Sequence, residues 1–411
     1  MKNKYDVIIV GAGLGGLKLA ELLNDLPLKV LLVEKRNTIK SLTKNYFGTF
    51  LECVKRWNLD EYLLYKCGWG MYATKTKYFN DLDNRSVCIL EMNAWARSLK
   101  LNCEVKLNTE IIDFRKNSNS ISLIDNNYNE FTAHIIVDGS GIAQVISGLL
   151  EIKKSKIDFL NYVYIMENHN LEDKKEMFYF GDTDLTNCGG WFHTLEDGRC
   201  LVGCGEYTTQ DSLGPNELKK RLDKYIKNFD PLNKYLKDAK IVEEICMAGP
   251  TTTKHSSIVE NNYIAIGDAA GAGGPFIGDG FRMAFAMADS AYSTIKSAFQ
   301  TNNFSKKTLD LHRKNFMAEF GKWYKWSYLF RFMWLRYFTN DEINLFAKRL
   351  KSMSDDNYYK ILTSKLTPYI IFRLFTPKLA LKVIKNMIIY YILEPLKITK
   401  IKRRPRILKN E

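Results

Sequence analysis

The 411-residue chain has no apolar run approaching the roughly 18 residues that a membrane-spanning helix requires. None of its eight cysteines (Cys53, Cys67, Cys88, Cys103, Cys188, Cys200, Cys204 and Cys246) forms a CxxC pair, and only Cys200 and Cys204 lie close together. That spacing argues against metal ligation and a disulfide framework, and leaves reduced, buried thiols. Met1 to Lys4 is too short to hold a secretory signal before the first apolar stretch, so a cytoplasmic location is expected. No internal repeat or low-complexity tract is evident. Acidic side chains are outnumbered by basic ones, 46 to 60, and the net charge of +14 points to an anionic partner or surface.

Against these absences stands "YDVIIVGAGLGGLKLAELL" at residues 5–23. Val7 to Val10 reads as a strand buried on both faces, and Leu17, Leu19, Ala20, Leu22 and Leu23 recur as the apolar face of a helix. Between them Gly11, Gly13 and Gly16 have GxGxxG spacing. Gly11 permits the tight turn, Gly13 lets backbone approach a pyrophosphate, and Gly16 lets helix pack close on strand. The helix N-terminus then presents unpaired N–H groups to the phosphates. A second strand, "KVLLVEKR", ends in Glu34, where a carboxylate would accept hydrogen bonds from a ribose. Glu34 does not choose between NAD and FAD.

Later motifs bear on that choice. The strand His134 to Val137 runs into Asp138, Gly139, Ser140 and Gly141, and the strand Tyr263 to Ile266 is closed by Gly267 and Asp268. An aspartate there can accept hydrogen bonds from a ribityl chain. "GAGGPFIGDG" then leads into "FRMAFAMADSAYSTIKSAF", a helix whose N-terminus near Gly280 would favour the negative charge of a reduced flavin. Behind an N-terminal dinucleotide loop, these features favour FAD. Residues 150–255 read as alternating strands, with "GGWFHTLEDGRCLVGCGEY" a hairpin turning at Asp197-Gly198. A helix is predicted through "TFLECVKRWNLDEYLL". The fold class is therefore α/β: a Rossmann-like FAD-binding domain (1–72, 91–148 and 255–300), an inserted antiparallel-sheet substrate domain (73–90 and 149–254), and a helical, basic C-terminal region (301–411).

The segments "VGAGLGG", "VEKR", "VDGSG", the Gly-Trp-Phe hairpin and "GDAAGAGGPFIGDG" resemble the geranylgeranyl reductase family of FAD-dependent oxidoreductases, within the wider aromatic-hydroxylase-like superfamily. The resemblance covers roughly residues 5–330. It implies FAD contacts at Gly16, Glu34, Lys35, Asp268, Gly280 and Phe281, with a backbone contact to adenine near Ile111. It further implies a prenyl substrate, reduced flavin as hydride donor and a long apolar tunnel over the ring; Trp191 and Phe192 on the hairpin either line such a tunnel or pack as ordinary sheet-face residues. Two positions depart from the family. No cysteine precedes Cys53 in "TIKSLTKNYFGTF", and Met92 stands in "CILEMNAW" where an arginine is common. The first removes the usual proton-relay residue, and no other proton donor identifies itself. Tyr46 and Cys53 lie near the site by position alone, and His193 on the hairpin could donate a proton but reads more readily as a satisfied sheet histidine. "KNYFGTFLECVKRWNLDEYL" faintly resembles lycopene cyclases, which use reduced FAD without net redox. Monooxygenase or halogenase chemistry, and lipid binding without turnover, are the other readings. Gly271 rather than histidine after "GDAA" weighs against the hydroxylase form. No separate nicotinamide fingerprint is visible, so the electron donor is external: NAD(P)H or a redox protein.

The C-terminal region mixes aromatics with Lys322, Lys325, Arg331 and Arg336. Two helices begin with Thr-Pro, an N-cap followed by proline in the first turn. In the second, Lys378, Lys382 and Lys385 share one face while Leu381, Ile384, Ile388 and Tyr391 share another. Beyond Pro395 the tail adds Lys397, Lys400, Lys402, Arg403, Arg404, Arg406 and Lys409 against Glu394 and Glu411. Basic density beside an amphipathic helix suits an anionic membrane surface. No nucleic-acid fold accompanies it.

Overall fold

The computed structural model describes residues 3–389 except 43–44, 75, 81–86, 118, 172–175, 196–197, 209–212, 252–256 and 277. The tail from 390 onward and Asp197 of the predicted hairpin turn lie outside the described residues.

Parallel strands form the centre of the first sheet, in the order Tyr263–Ala265, Glu130–Asp138, Lys4–Val10, Val30–Val33 and Glu104–Lys106. Burial on both faces explains why "VIIV" and "VLLV" are uninterrupted apolar runs. Ile111–Lys116 and Ile121–Asp125 form an antiparallel ribbon joined to the start of Glu130–Asp138. The helices Leu14–Leu23 and Gly280–Gln300 pack together on this sheet. The Rossmann-like arrangement is as the glycine and strand pattern predicts.

The second sheet has nine strands. Its path runs Lys240–Gly249, Phe159–Glu167, Arg199–Tyr207, Gly189–Thr194, Glu176–Gly181, Leu63–Ala73, Val87–Glu91 and Tyr46–Phe50. Every pairing is antiparallel except Glu176–Gly181 with Leu63–Ala73, which is parallel. The N-terminal span therefore donates Tyr46–Phe50 and Leu63–Ala73 to this sheet, and the expected division at residue 72 falls within a continuous strand. The helix predicted across residues 49–64 is confined to Leu51–Arg56, because Asn58 turns left-handed at φ +53° and a single turn at Asp60–Tyr62 precedes the strand.

One face of the second sheet joins the main core. The other is covered by the helices Pro215–Asn228 and Asp230–Leu236, where sequence reading expected only strands. Leu218, Leu222, Phe229 and Leu232 bury themselves there against Phe178, Phe180, Phe192 and Val202.

The C-terminal region is helical through Ile388. Its longest helix, Leu311–Tyr337, buries Phe316, Phe320 and Tyr324 at successive i, i+4 positions, then Phe330 and Trp334. Arg331, one of the basic residues interspersed with these aromatics, is buried with them. Thr367 and Thr376 accept from Ile370 N and Leu379 N at 3.3 and 3.2 Å, the caps that Thr-Pro predicts. No helix among the described residues is long and apolar enough to cross a membrane.

Candidate functional site

The carboxyl ends of the parallel strands converge on two glycine-rich turns, where open α/β sheets bind ligands. Gly11 sits at φ +101°, and a Cβ there would meet Gly139 O at 2.5 Å. A Cβ on Gly16 would meet Gly11 O at 2.0 Å, so helix and strand touch backbone to backbone. Gly13 differs: nothing lies within 4 Å of its missing side chain. It is the N-cap of Leu14–Leu23 and offers no side chain to that helix end, whose first N–H groups face the same opening.

Glu34 is buried at the end of its strand. Its Oε2 accepts from Ala12 N at 2.7 Å, and its Oε1 accepts from Arg36 N and Nε at 3.0 and 2.9 Å. Burial alone would raise this carboxyl; hydrogen bonds from Arg36 and Ala12 N outweigh it and hold Glu34 below the usual range. Arg36 also donates to Ala12 O at 3.0 Å and Ser41 O at 2.7 Å, tying the acid to the glycine turn. Lys35, implied by the family resemblance, is exposed. The side chains of an extended chain alternate, so Arg36, two residues after Glu34, turns to its side. Ile111 is buried at the start of its strand, two residues beyond Thr109, whose N–H donates to Glu34 O at 3.0 Å.

Asp268 lies in the single turn Gly267–Ala270, adjoining the end of Glu130–Asp138 through Ile266 N to Asp138 O at 3.0 Å. Ser155 Oγ supports that turn from below by donating to Asp268 O at 3.1 Å. Among the described residues no donor reaches the Asp268 carboxylate, and burial pushes its pKa up to about 6.

The second glycine-rich loop is clamped by other parts of the chain. A Cβ on Gly273 would meet Pro250 O at 2.3 Å. Tyr324, on the long C-terminal helix, donates to Gly273 O at 2.6 Å, and Tyr207, on the second sheet, donates to Phe276 O at 3.1 Å. The helix Gly280–Gln300 follows, its N-cap Asp279 accepting from Arg282 N at 3.2 Å. A Cβ on Gly280 would meet nothing within 4 Å. Gly15 brings the two helix starts together, since its Cβ would stand 3.4 Å from Ile266 Cδ1 and 3.5 Å from Ala284 O. Phe281 turns inward against Phe285, Phe47 and Trp57, so only its backbone is available to a ligand.

Trp191 and Phe192 cannot line one cavity. As neighbours on a strand they face opposite sides: Phe192 stacks on Phe178 at 4.9 Å in the outer core, while Trp191 lies over Gly203 and Gly205 on the inner face. His193 is buried on the Trp191 face. Tyr46 accepts a hydrogen bond from Arg199 at 2.8 Å. Cys53 is buried, which pushes its thiol up to about 12 and keeps it protonated.

Sequence comparison agrees with this geometry. Residues 9–51 match the model of the NAD(P)-binding Rossmann-like domain. Digeranylgeranylglycerophospholipid reductase 2 of Methanococcoides burtonii is 23% identical over 382 residues, 86% of this chain and 90% of that protein. The digeranylgeranylglycerophospholipid reductase of Methanocaldococcus jannaschii is 24% identical over 375 residues, covering 86% and 93%. Along most of its length the chain is similar to digeranylgeranylglycerophospholipid reductases. Its fold matches a geranylgeranyl bacteriochlorophyll reductase-like protein from Thermoplasma acidophilum at TM-score 0.70 and 18% identity, over 96% of this chain and 99% of that one. A halogenase in complex with FAD matches at TM-score 0.66 and 14% identity, over 96% and 93%.

Arg36 and Tyr324 were not singled out by sequence reasoning. The signal for Arg36 was present in the i, i+2 spacing from Glu34. Tyr324 had none, because its contact with Gly273 spans 51 residues.

Proposed function

We propose that the chain is an FAD-dependent oxidoreductase that reduces carbon–carbon double bonds of an isoprenoid glycerophospholipid. What supports this reading is that Gly13 and Gly280 stand at helix starts where an added Cβ would meet nothing within 4 Å, and that no donor among the described residues reaches the Asp268 carboxylate, in a chain whose relatives along most of its length are named as such reductases. Gly13 and the first turn of Leu14–Leu23 would hold the pyrophosphate, and Asp268 would accept from the ribityl hydroxyls. A ribose hydroxyl would share Glu34 with Ala12 N and Arg36. When bound and reduced, FAD supplies a hydride. The chain's own contribution is to orient lipid and cofactor and to exclude water, with Trp191 on the inner sheet face as an apolar wall. Electrons come from an external donor, a nicotinamide nucleotide or a redox protein. The protein acts in the cytoplasm as a peripheral visitor to an anionic membrane, where so insoluble a substrate resides.

Anaerobic incubation of the dithionite-reduced holoprotein with a geranylgeranylated glycerophospholipid, followed by mass spectrometry, tests the reaction. The expected product has gained one pair of hydrogens per bond reduced. Unchanged mass with altered retention would replace this reading with cyclase-like chemistry, and a gain that depends on oxygen would replace it with oxygenase chemistry.

A further inference from the structure

Two consecutive short helices, Pro368–Leu374 and Pro377–Ile388, are attached to the molecule in the same way. Each buries one i, i+4 pair: Ile370 with Leu374, and Leu379 with Val383. A surface helix ordinarily turns polar residues outward. Here the outward positions hold Phe372, 77% exposed, Leu381, 68% exposed, and the exposed Ile384 and Ile388. The grouping of Leu381, Ile384 and Ile388 on one face is legible in the sequence; its direction, away from the core, is the structural finding. Exposed Arg373, Lys378 and Lys385 border these side chains, while Lys382 is held by Asp341 at 2.8 Å.

We propose that this two-helix face docks on an anionic lipid bilayer, its apolar side chains entering the headgroup–acyl boundary and its cations meeting lipid phosphates. The proposal rests on the membrane reading above and assigns the surface that makes the contact. Charge decides the occupant. A second copy would bring Arg373, Lys378 and Lys385 against the same cations of its partner. Residues 390–411 hold seven basic residues, Lys397, Lys400, Lys402, Arg403, Arg404, Arg406 and Lys409, against Glu394 and Glu411, so as a cover they would repel the same three. A negatively charged bilayer complements both the face and the tail.

The test uses full-length holoprotein and co-sedimentation with vesicles of phosphatidylglycerol and phosphatidylcholine. Replacing Phe372→Gln, Leu381→Gln and Ile384→Gln together should weaken binding at least about tenfold at low and high salt alike. Flavin absorbance and circular dichroism should stay unchanged, because none of the three is a core residue. If the combined variant misfolds, Phe372→Gln alone makes the same comparison. Arg373→Gln, Lys378→Gln and Lys385→Gln should weaken binding mainly at low salt, where surface charges are least screened. Wild-type binding that the apolar substitutions leave intact overturns this face while membrane attachment stands. Wild-type protein indifferent to every vesicle overturns both. Loss of a dimer in sedimentation velocity, with vesicle binding unaltered, would identify a second copy as the occupant and also overturn the proposal.

Discussion

Two strand ends of the first sheet carry an aspartate beside a glycine, and the chain treats them oppositely. The Asp138 carboxylate accepts from Ser140 N and Ser147 N, both at 3.1 Å, and from both serine hydroxyls. Asp268, on the adjacent strand end, receives no donor among the described residues. The same split divides the glycines. Gly11 and Gly16 exist because backbone presses on them, whereas Gly13 faces open space. Residue type and position thus do not tell which of these groups the rest of the described chain satisfies. The local supply of donors and atoms does.

The largest effect expected from this contrast is at the glycines. Gly16→Val would drive a side chain into Gly11 O and should abolish soluble folded protein. Gly13→Val should fold normally, judged by circular dichroism and gel filtration, yet lose FAD absorbance; retained stoichiometric FAD would erase the distinction. Next come the aspartates. Asp138→Ala strands the Ser147 N–H, which is buried, and the half-buried Ser140 N–H, and should cost about 2–3 kcal/mol in urea unfolding of the apoprotein. Asp268→Ala should leave that stability near wild type and weaken FAD by about 1.5–3 kcal/mol in a titration. Equal behaviour of the two variants in both assays would break the comparison.

A smaller, pH-dependent effect extends the contrast to the second sheet. Glu206 is buried, and burial pushes its carboxyl up to about 7; among the described residues only Asn187 N donates to it, at 3.0 Å. Because its folded pKa lies above its unfolded value of 4.5, stability is fully present below pH 4.5 and falls as pH rises through 7. Glu206→Gln should therefore be more stable than wild type at pH 8, by up to about 3 kcal/mol, and should lose that advantage near pH 4. Parallel urea midpoints at the two pH values would remove the charge as the cause.

The features legible in sequence are those fixed by neighbours along the chain. The strand, glycines and helix at residues 4–23, the Thr-Pro helix starts and the acid at Glu34 each follow from local geometry. "GGWFHT" shows that Trp191 and Phe192 face opposite ways, but which side meets the nucleotide domain depends on how the sheet packs. The helices at 215–236 have a Gly-Pro entry and Leu218 and Leu222 at i, i+4, a signal masked by their many charges. The parallel contact of Glu176–Gly181 with Leu63–Ala73 joins segments a hundred residues apart, where no local pattern reaches. What sets Asp138 apart from Asp268 is the pair of serines that follow it, Ser140 and Ser147, whose reach becomes apparent once the turn is folded.

The hydrogen bond from Tyr324 to the Gly273 loop also bears on the order of synthesis. Glu130–Asp138, the sheet neighbour of the first glycine turn, leaves the ribosome well after that turn, and the loop at 271–280 later still. Domains fold as they emerge, N-terminal parts first. Here the opening turn must wait for Tyr263–Ala265 to complete the parallel sheet and for Tyr324 to hold the second loop in place. Until residue 324 has been made, the nascent chain therefore holds only one of the two glycine turns in place, and any ligand that needs both can bind only after that.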